Sequence, residues 1–160
     1  MVTDIGFLGV AAGLHTQAAG LFEALASLRP HRAFAYVGTA TLHLGRGQAE
    51  AAVGVLEQGR RMVDARPAAD MSGDGILAEQ WTEDRVTIRV FLGLALDAAR
   101  QHGQALRTLH AALEIAPASD QGPMVTLARG LLGGHPGRDA ASRPPMRGLS
   151  TAEEAPHHGN

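Results

Sequence analysis

The side chains of this chain that could do acid–base or metal chemistry are 8 His and 16 Asp or Glu, and their spacing matches no catalytic site. The patterns of serine hydrolases (G-x-S-x-G), phosphate-binding loops, dinucleotide-binding turns (G-x-G-x-x-G) and zinc proteases (H-E-x-x-H) do not occur. Without Cys there is no thiolate nucleophile or thiolate metal ligand. The adjacent pair His157-His158 is at best a weak metal site. We therefore predict a protein that is not an enzyme, with no catalytic residues, no metal site and no cofactor.

One group of carboxylates surrounds the single Trp. Glu79, Glu83 and Asp84 fall on the same predicted helix as Trp81. Helix surfaces commonly carry such runs, so we predict that the three carboxylates form a solvated face. For Trp81 we predict packing of its helix onto the rest of the protein. The alternative is an anchor for a partner, since Trp is enriched among residues that dominate binding energy.

The composition favours helices as the elements that position these side chains. Hydrophobic residues make up 45% of the chain but aromatic residues only 4%, so the core must consist mostly of Ala, Leu and Val. Small side chains let helices approach one another closely. The β-branched and aromatic residues that are typical of strands are few. At 160 residues the chain is long enough for one domain with a substantial core.

A repeat is visible near the N-terminus. Tetratricopeptide units of about 34 residues carry an L-G pair, an A-x3-F motif and a closing Pro in two antiparallel helices. Here Ile5-Gly6 takes the L-G position, Ala18 and Phe22 form the A-x3-F motif, and Pro30 closes the unit. Gly13 lies five residues before Ala18, where the turn between the helices is expected. Residues 1–32 are therefore predicted to form a helical hairpin.

The same pattern returns twice. In the second copy, 34 residues on, Gly47 is at the turn and Ala52 and Leu56 fill the A-x3-F positions. Ala52 and Ala105 are 53 residues apart, which equals one repeat plus an insertion of 19. The third copy keeps the spacing of the first at Leu92-Gly93, Ala105, Leu109 and Pro117. This recurrence predicts three hairpins in one register.

We predict an all-α fold: a tetratricopeptide-like array of about three helical hairpins within residues 1–133, a C-terminal capping helix and a disordered tail. An irregular helical bundle is the alternative. The spacing of Trp81, Ile88 and Leu92 predicts that the first helix of the third hairpin begins near Ile76. Asp120 is predicted to cap the last helix, with a buried stripe at Met124, Leu127, Ala128 and Leu131. The predicted boundaries are repeats at 1–32, 33–66 and 86–119, an insertion at 67–85, a capping helix at 120–132 and a tail at 134–160.

In stacked hairpins the first helix of each unit lines the concave surface, which is the usual binding face. This rule predicts a largely apolar groove in which Asp97 is the only charged position. An apolar groove suits an amphipathic helix or an extended apolar segment of a partner. The alternative is that several of these side chains pack between neighbouring hairpins. The predicted groove positions are Thr3, Phe7, Val10, Phe34, Val37, Thr41, Leu44, Thr87, Val90, Leu94 and Asp97.

Charge and hydropathy narrow the choice of partners. A net charge of −2 lacks the basic surface that nucleic acid requires. All 14 basic residues are Arg, and the single Asn is Asn160. Tetratricopeptide co-chaperones bind their partners with a clamp that contains Lys and Asn, so this chain cannot build that clamp in its usual form. A helix that spans a membrane needs about 20 apolar residues, and no apolar run in the chain is that long. The first twenty residues also lack the basic region of a signal peptide. We expect a cytoplasmic protein with no membrane span and no nucleic-acid partner.

The segment GLHTQAAGLFEALASLRP at 13–30, running through His31 to Leu56 with GQAEAA at 47–52, resembles a bacterial family. It is similar to the small tetratricopeptide-like chaperones and accessory proteins of type III secretion systems. The resemblance is good over residues 13–56 and loose over 4–116. It implies a cytoplasmic chaperone that shields an apolar secretion substrate before export. The 19-residue insertion and the long tail depart from the compact pattern of that family.

Two functions remain open from the sequence. The first is a type III secretion chaperone that holds an apolar or amphipathic segment of an exported partner in the concave groove. The partner would be an exported secretion subunit or a small helical co-chaperone. The second is an adaptor or scaffold that assembles a protein complex without an export substrate. The sequence does not specify the oligomeric state.

Overall fold

The computed structural model describes residues 6, 8, 9, 11–65 and 75–134, and within them every regular element is an α-helix. Gly6, Leu8, Gly9 and Ala11 also have helical backbone, ahead of the first complete helix. The helices are α1 (His15–Leu28), α2 (Ala33–Gly45), α3 (Ala49–Asp64), α4 (Gly75–Ala98), α5 (His102–Ile115) and α6 (Pro123–Gly133). The predicted all-α fold class is confirmed.

The helices pack as an array of hairpins. Each helix from α1 to α5 contacts the next one along the chain. In addition α2 contacts α4 and α4 contacts α6, whereas α1, α3 and α5 do not contact one another in the described residues. Helices α2, α4 and α6 therefore form one closely packed layer, and α1, α3 and α5 lie farther apart on the other side. Such an arrangement places α2, α4 and α6 on the inner side of the curved array.

Small residues allow the two helices of each hairpin to approach closely. Ala18, Ala52 and Ala105 are 3%, 0% and 0% exposed. A Cβ atom on Gly93 would lie 2.7 Å from Leu109 Cγ, and one on Gly6 would lie 2.7 Å from Phe22 Cε1. A small residue therefore packs against a large one at the predicted positions of the first and third hairpins. A larger side chain in place of either glycine would overpack the contact between the two helices.

The turns between paired helices have left-handed backbone at equivalent positions. Gly13 and Gly47 have φ of +77° and +72°, so the turn glycines predicted from the repeat are confirmed. In the third hairpin, 53 residues after Gly47, Arg100 occupies this position with φ of 62°. A non-glycine residue is strained there because its Cβ crowds the following carbonyl oxygen. The nearest glycine, Gly103, lies three residues later and within α5.

Arg100→Gly should therefore raise the free energy of unfolding by about 1 kcal/mol, since glycine adopts positive φ without steric cost. The gain is reduced by the greater freedom of glycine in the unfolded chain. Gly47→Ala, at the same position of the second turn, should lower stability by about 1 kcal/mol. Urea denaturation of the three proteins measures both changes. A loss of stability in Arg100→Gly would show that the Arg100 side chain contributes more than its backbone costs.

Helix α4 is the longest in the array and begins at Gly75, one residue before the predicted start at Ile76. Its 24 residues span about 36 Å, against about 20 Å for the 13 residues of α2. The extra turns of α4 therefore include the C-terminal part of the inserted segment. Residues 65–74 lie between the end of α3 and the start of α4, and of these only Ala65 is described.

Helix α6 covers the end of the array. Val125 and Ala128 are buried against α4 and α5, next to Val86, Val90 and Leu109. Leu127, predicted within the buried stripe, is 37% exposed because it lies off the face that Val125 and Ala128 share. The predicted cap is also wrong in detail, since α6 begins at Pro123 after Gly122 and has no side-chain cap. Asp120 instead accepts a hydrogen bond from the Gly122 N–H at 2.6 Å in the preceding turn.

The predicted insertion at 67–85 is described only from Gly75 onward, and the predicted tail at 134–160 only at Gly134.

Candidate functional site

The groove positions predicted from the sequence have different environments. Val37 and Val90 are 3% and 0% exposed and belong to the core, so their assignment to an accessible groove is wrong. Both valines lie in the core because α2 and α4 pack against each other and against α1, α3 and α5. Phe34, Thr41, Leu44, Thr87, Leu94 and Asp97 are half-buried. Thr3, Phe7 and Val10 lie outside the described residues.

The half-buried positions on α2 and α4 do not form a uniformly apolar surface. The Thr41 hydroxyl donates to the Val37 carbonyl at 2.8 Å, and the Arg32 guanidinium lies 5.6 Å from the centre of the Phe34 ring. Asp97 contacts His102 Nδ1 at 2.6 Å. Phe34, Leu44 and Leu94 are the large apolar side chains with accessible surface among these positions.

Two arginines of α4 bind the C-terminal residue of α3. Arg89 Nη2 lies 3.0 Å and 2.7 Å from the two carboxylate oxygens of Asp64, and Arg85 Nε lies 3.3 Å from Asp64 Oδ1. The Arg89 side chain is only 10% exposed. A guanidinium that has lost most of its water needs such a charged partner. This cluster fixes α4 against the end of α3.

Asp84 binds the start of α2. Its Oδ1 accepts a hydrogen bond from the Ala33 N–H at 3.1 Å, and its Oδ2 lies 2.6 Å from Arg32 Nε. Asp84 is 6% exposed, so its assignment to a solvated face is wrong, while Glu79 and Glu83 are exposed as predicted. The difference arises because Asp84 points toward α2 and the two Glu side chains point away from it. Burial raises the pKa of Asp84, against the opposing effects of the Ala33 N–H and of Arg32.

The raised pKa has a measurable consequence. The folded chain keeps a proton on Asp84 at pH values where the unfolded chain has lost it. The Asp84 contribution to stability is therefore complete below the ordinary pKa of 3.8 and is lost as pH rises through the raised folded-state value. Asp84→Asn should abolish this part of the pH dependence and leave stability at neutral pH unchanged or higher, since Asn still accepts from Ala33.

Asp84→Ala is the matched comparison. It leaves the buried Ala33 N–H without an acceptor and should cost about 1–3 kcal/mol at neutral pH. Denaturant unfolding of parent, Asp84→Asn and Asp84→Ala at pH 4 and pH 7 separates the contributions. Equal losses in the two variants at pH 7 would show that the ion pair with Arg32 outweighs the cost of burying the carboxylate.

Trp81 packs the first turns of α4 onto the array, which supports packing over the alternative of an exposed partner anchor. Its indole N–H donates to the Val63 carbonyl at 2.9 Å near the end of α3, and its ring packs against the main core cluster. The Arg85 guanidinium lies 4.7 Å from the ring centre. One face of the first turns of α4 (residues 75–85, the α4 extension) therefore packs against the rest of the protein.

The opposite face of the extension forms one wall of an open cleft. This cleft, of about 690 Å³, lies between the first half of α4 and the turn that begins α6. Its volume falls in the range of about 300–1,000 Å³ that is usual for ligand-binding sites. Val86, Met124 and Val125 supply its apolar floor. Of the positions predicted for the groove, Thr87 lines this cleft.

The cleft carries negative charge that the apolar groove prediction did not include. Glu79 and Glu83, one helical turn apart on α4, line it together with Asp120. Neither Glu has an ion-pair partner among the described residues, whereas Asp120 is engaged with Gly122. The sequence signal was the carboxylate run around Trp81, but only the fold shows which members face the cleft.

A second, smaller cavity of about 330 Å³ lies at the N-terminal end of the array. Leu8 and Leu14 line it and are 67% and 50% exposed. Its other lining residues are Gly6, Gly9, Ala12, Gln17, Ala18 and Leu21. Within the described residues these two concave surfaces are separate and differ in character, since the cleft is acidic and the N-terminal cavity is apolar.

The described residues contain no cluster of three or more His, Asp or Glu side chains that could hold a metal ion. In the same part of the chain, no helix combines the length and apolarity needed to cross a bilayer. Comparison with protein-family models, with curated proteins and with solved structures gave no match to this chain.

Proposed function

We propose that this chain is a non-catalytic protein-binding module whose partner segment lies in the cleft between α4 and α6. The observation that carries the proposal is the two-sided extension of α4. Trp81 and Asp84 on one face hold the extension to α2 and α3, while Glu79 and Glu83 on the other face line open space. Packing within a hairpin does not require such an extension, because the equivalent helix α2 packs against α1 and α3 with only 13 residues.

Within this class we propose a cytoplasmic chaperone for an exported subunit of a type III secretion system. The supports are the resemblance of residues 13–56 to that family and the apolar floor of the cleft. A concave surface with an apolar floor suits a segment that must be shielded before it reaches its final assembly. Phe34 and Leu94, half-buried on the same layer of helices, would extend the contact along α2 and α4.

An adaptor that assembles a protein complex is the second candidate. It is favoured by the second cavity beside Leu8 and Leu14, because joining two proteins requires two separate surfaces. A chaperone for one export substrate needs only one binding surface. The two functions therefore differ in whether the N-terminal cavity binds a protein of its own.

The test is capture of the partner by the tagged full chain in its native host, with matched variants. Thr87→Arg places a large side chain in the cleft, and Gln58→Arg makes the same addition on the exposed face of α3. We expect Thr87→Arg to reduce recovery of the partner at least about tenfold, the effect of losing 1.4 kcal/mol. Gln58→Arg should recover it normally, and circular dichroism should show both variants helical.

The identity of the captured protein separates the two candidates. An exported protein that becomes insoluble when expressed without this chain supports the chaperone. Recovery of two proteins, one of them lost on Leu14→Asp and the other on Thr87→Arg, supports the adaptor. Equal recovery by Thr87→Arg and Gln58→Arg would rule out the cleft as the binding site.

A further inference from the structure

We infer that the cleft between α4 and α6 binds a segment of another protein that carries two Arg or Lys side chains about one helical turn apart, next to an apolar residue. This inference rests on the proposed function and names the chemistry of the partner. It begins with Glu79 and Glu83, which line the cleft, are exposed and have no ion-pair partner in the described part of the chain.

Two like charges at this spacing are unfavourable for the helix itself. Residues four apart on one helix face each other, and a like-charged pair costs about 0.2–0.5 kcal/mol. The carboxylates that hold α4 in place are compensated, Asp84 by Arg32 and Asp64 by Arg89. Among the described residues Glu79 and Glu83 make no such contact, so positive charge from a partner would relieve their repulsion.

The floor of the cleft suits the aliphatic part of a basic side chain. Val86 and Val125 are 4% and 2% exposed, and Met124 beside them is half-buried. Arg and Lys place their methylene stems along apolar surface while the charged group reaches a polar partner. An Arg can also bind a carboxylate through two parallel hydrogen bonds. A basic segment with one apolar residue therefore matches both the rim and the floor.

The N-terminal end of α6 does not reverse this preference. Helix N-termini carry partial positive charge and favour anions. Here Asp120, already bound to the Gly122 N–H at 2.6 Å, supplies a negative charge at that end. The two carboxylates of α4 then dominate the charge of the cleft.

The test uses a labelled 12-residue peptide of Ala and Leu with two Arg four positions apart, and the same peptide with Gln at both positions. Fluorescence anisotropy at low salt measures binding to the full chain. The Arg peptide should bind, and Glu79→Gln/Glu83→Gln should weaken its binding at least about tenfold through loss of two ion pairs. The matched control Glu50→Gln/Glu114→Gln, which removes the same charge from exposed positions on α3 and α5, should change it less than about twofold. The Gln peptide should not bind.

Three results would overturn the inference: no binding of the Arg peptide by the parent chain, equal weakening by both double variants, or binding only after truncation at Gly134. The last would identify the occupant as the chain's own C-terminal segment, which contains Arg138, Arg143 and Arg147. Failure here is distinguishable from failure of the proposed function. If Thr87→Arg abolishes capture of the native partner but Glu79→Gln/Glu83→Gln does not, the cleft is the site and the partner segment is not basic.

Discussion

Asp64→Ala should lower the free energy of unfolding by about 3 kcal/mol, the largest effect we expect from removing a single side chain's charge. The physical reason is Arg89, whose side chain is 10% exposed and which loses both of its contacts to Asp64, at 2.7 and 3.0 Å. An unpaired guanidinium in that position has little access to water. Asp64 itself is 29% exposed, which places the expected loss at the lower end of the range for buried pairs.

Two comparisons test this explanation. The double variant Asp64→Ala/Arg89→Met removes both charges and should recover at least half of the lost stability, because no buried charge remains. Glu57→Ala disrupts an exposed pair with Arg61 on α3, at 3.7 Å, and should cost less than about 1 kcal/mol. Guanidinium denaturation measures all three. A double variant as unstable as Asp64→Ala would show that the loss does not come from the unpaired guanidinium.

Replacing Ala52 or Ala105 by Leu should lower stability by about 3 kcal/mol each, and Ala18 by slightly less. Ala52 and Ala105 are 0% exposed and Ala18 is 3% exposed, at the crossings of paired helices. Three added carbons at such a crossing force the helices apart or push neighbouring side chains out of their preferred rotamers. The effect should recur in all three hairpins, because the three positions are equivalent in the repeat.

Ala51→Leu is the matched control. Ala51 precedes Ala52 on the same helix but is exposed, so the same addition meets no neighbour and should leave stability within about 0.5 kcal/mol of the parent. Thermal and denaturant unfolding report the difference between the two variants. If Leu is tolerated at all three crossing positions, the proposed register of the hairpins is wrong.

Much of the hairpin architecture could be predicted from the sequence because a few residue types have strict backbone or packing roles. Gly13 and Gly47 mark turns that require positive φ, and Pro30 and Pro117 each follow a helix end by two residues. Ala and Gly at the crossings then fix which faces meet. The third turn escaped this reasoning because Arg100 adopts the left-handed conformation without being glycine.

The candidate site was harder to predict from the sequence because the environment of each residue depends on helices that come from elsewhere in the chain. The repeat pattern places Val37 and Val90 on the first helices of their hairpins, yet both are buried by helices that come from elsewhere in the chain. Likewise Glu83 and Asp84 are adjacent in sequence, but one faces the cleft and the other bonds to Ala33. A single sequence shows that these residues share a helix, and the fold shows which neighbour each one meets.

Site-specific photocrosslinking can show whether a partner protein lies in the cleft between α4 and α6. A photoreactive phenylalanine analogue replaces Thr87 in the cleft or, as the control, Gln58 on the exposed face of α3. Each full chain is irradiated in its native host, and covalent adducts are identified by mass spectrometry. We expect one defined protein adduct from the position of Thr87 and none from that of Gln58. Adducts of the same protein in equal yield from both positions, or from Gln58 alone, would show that the partner does not lie in the cleft.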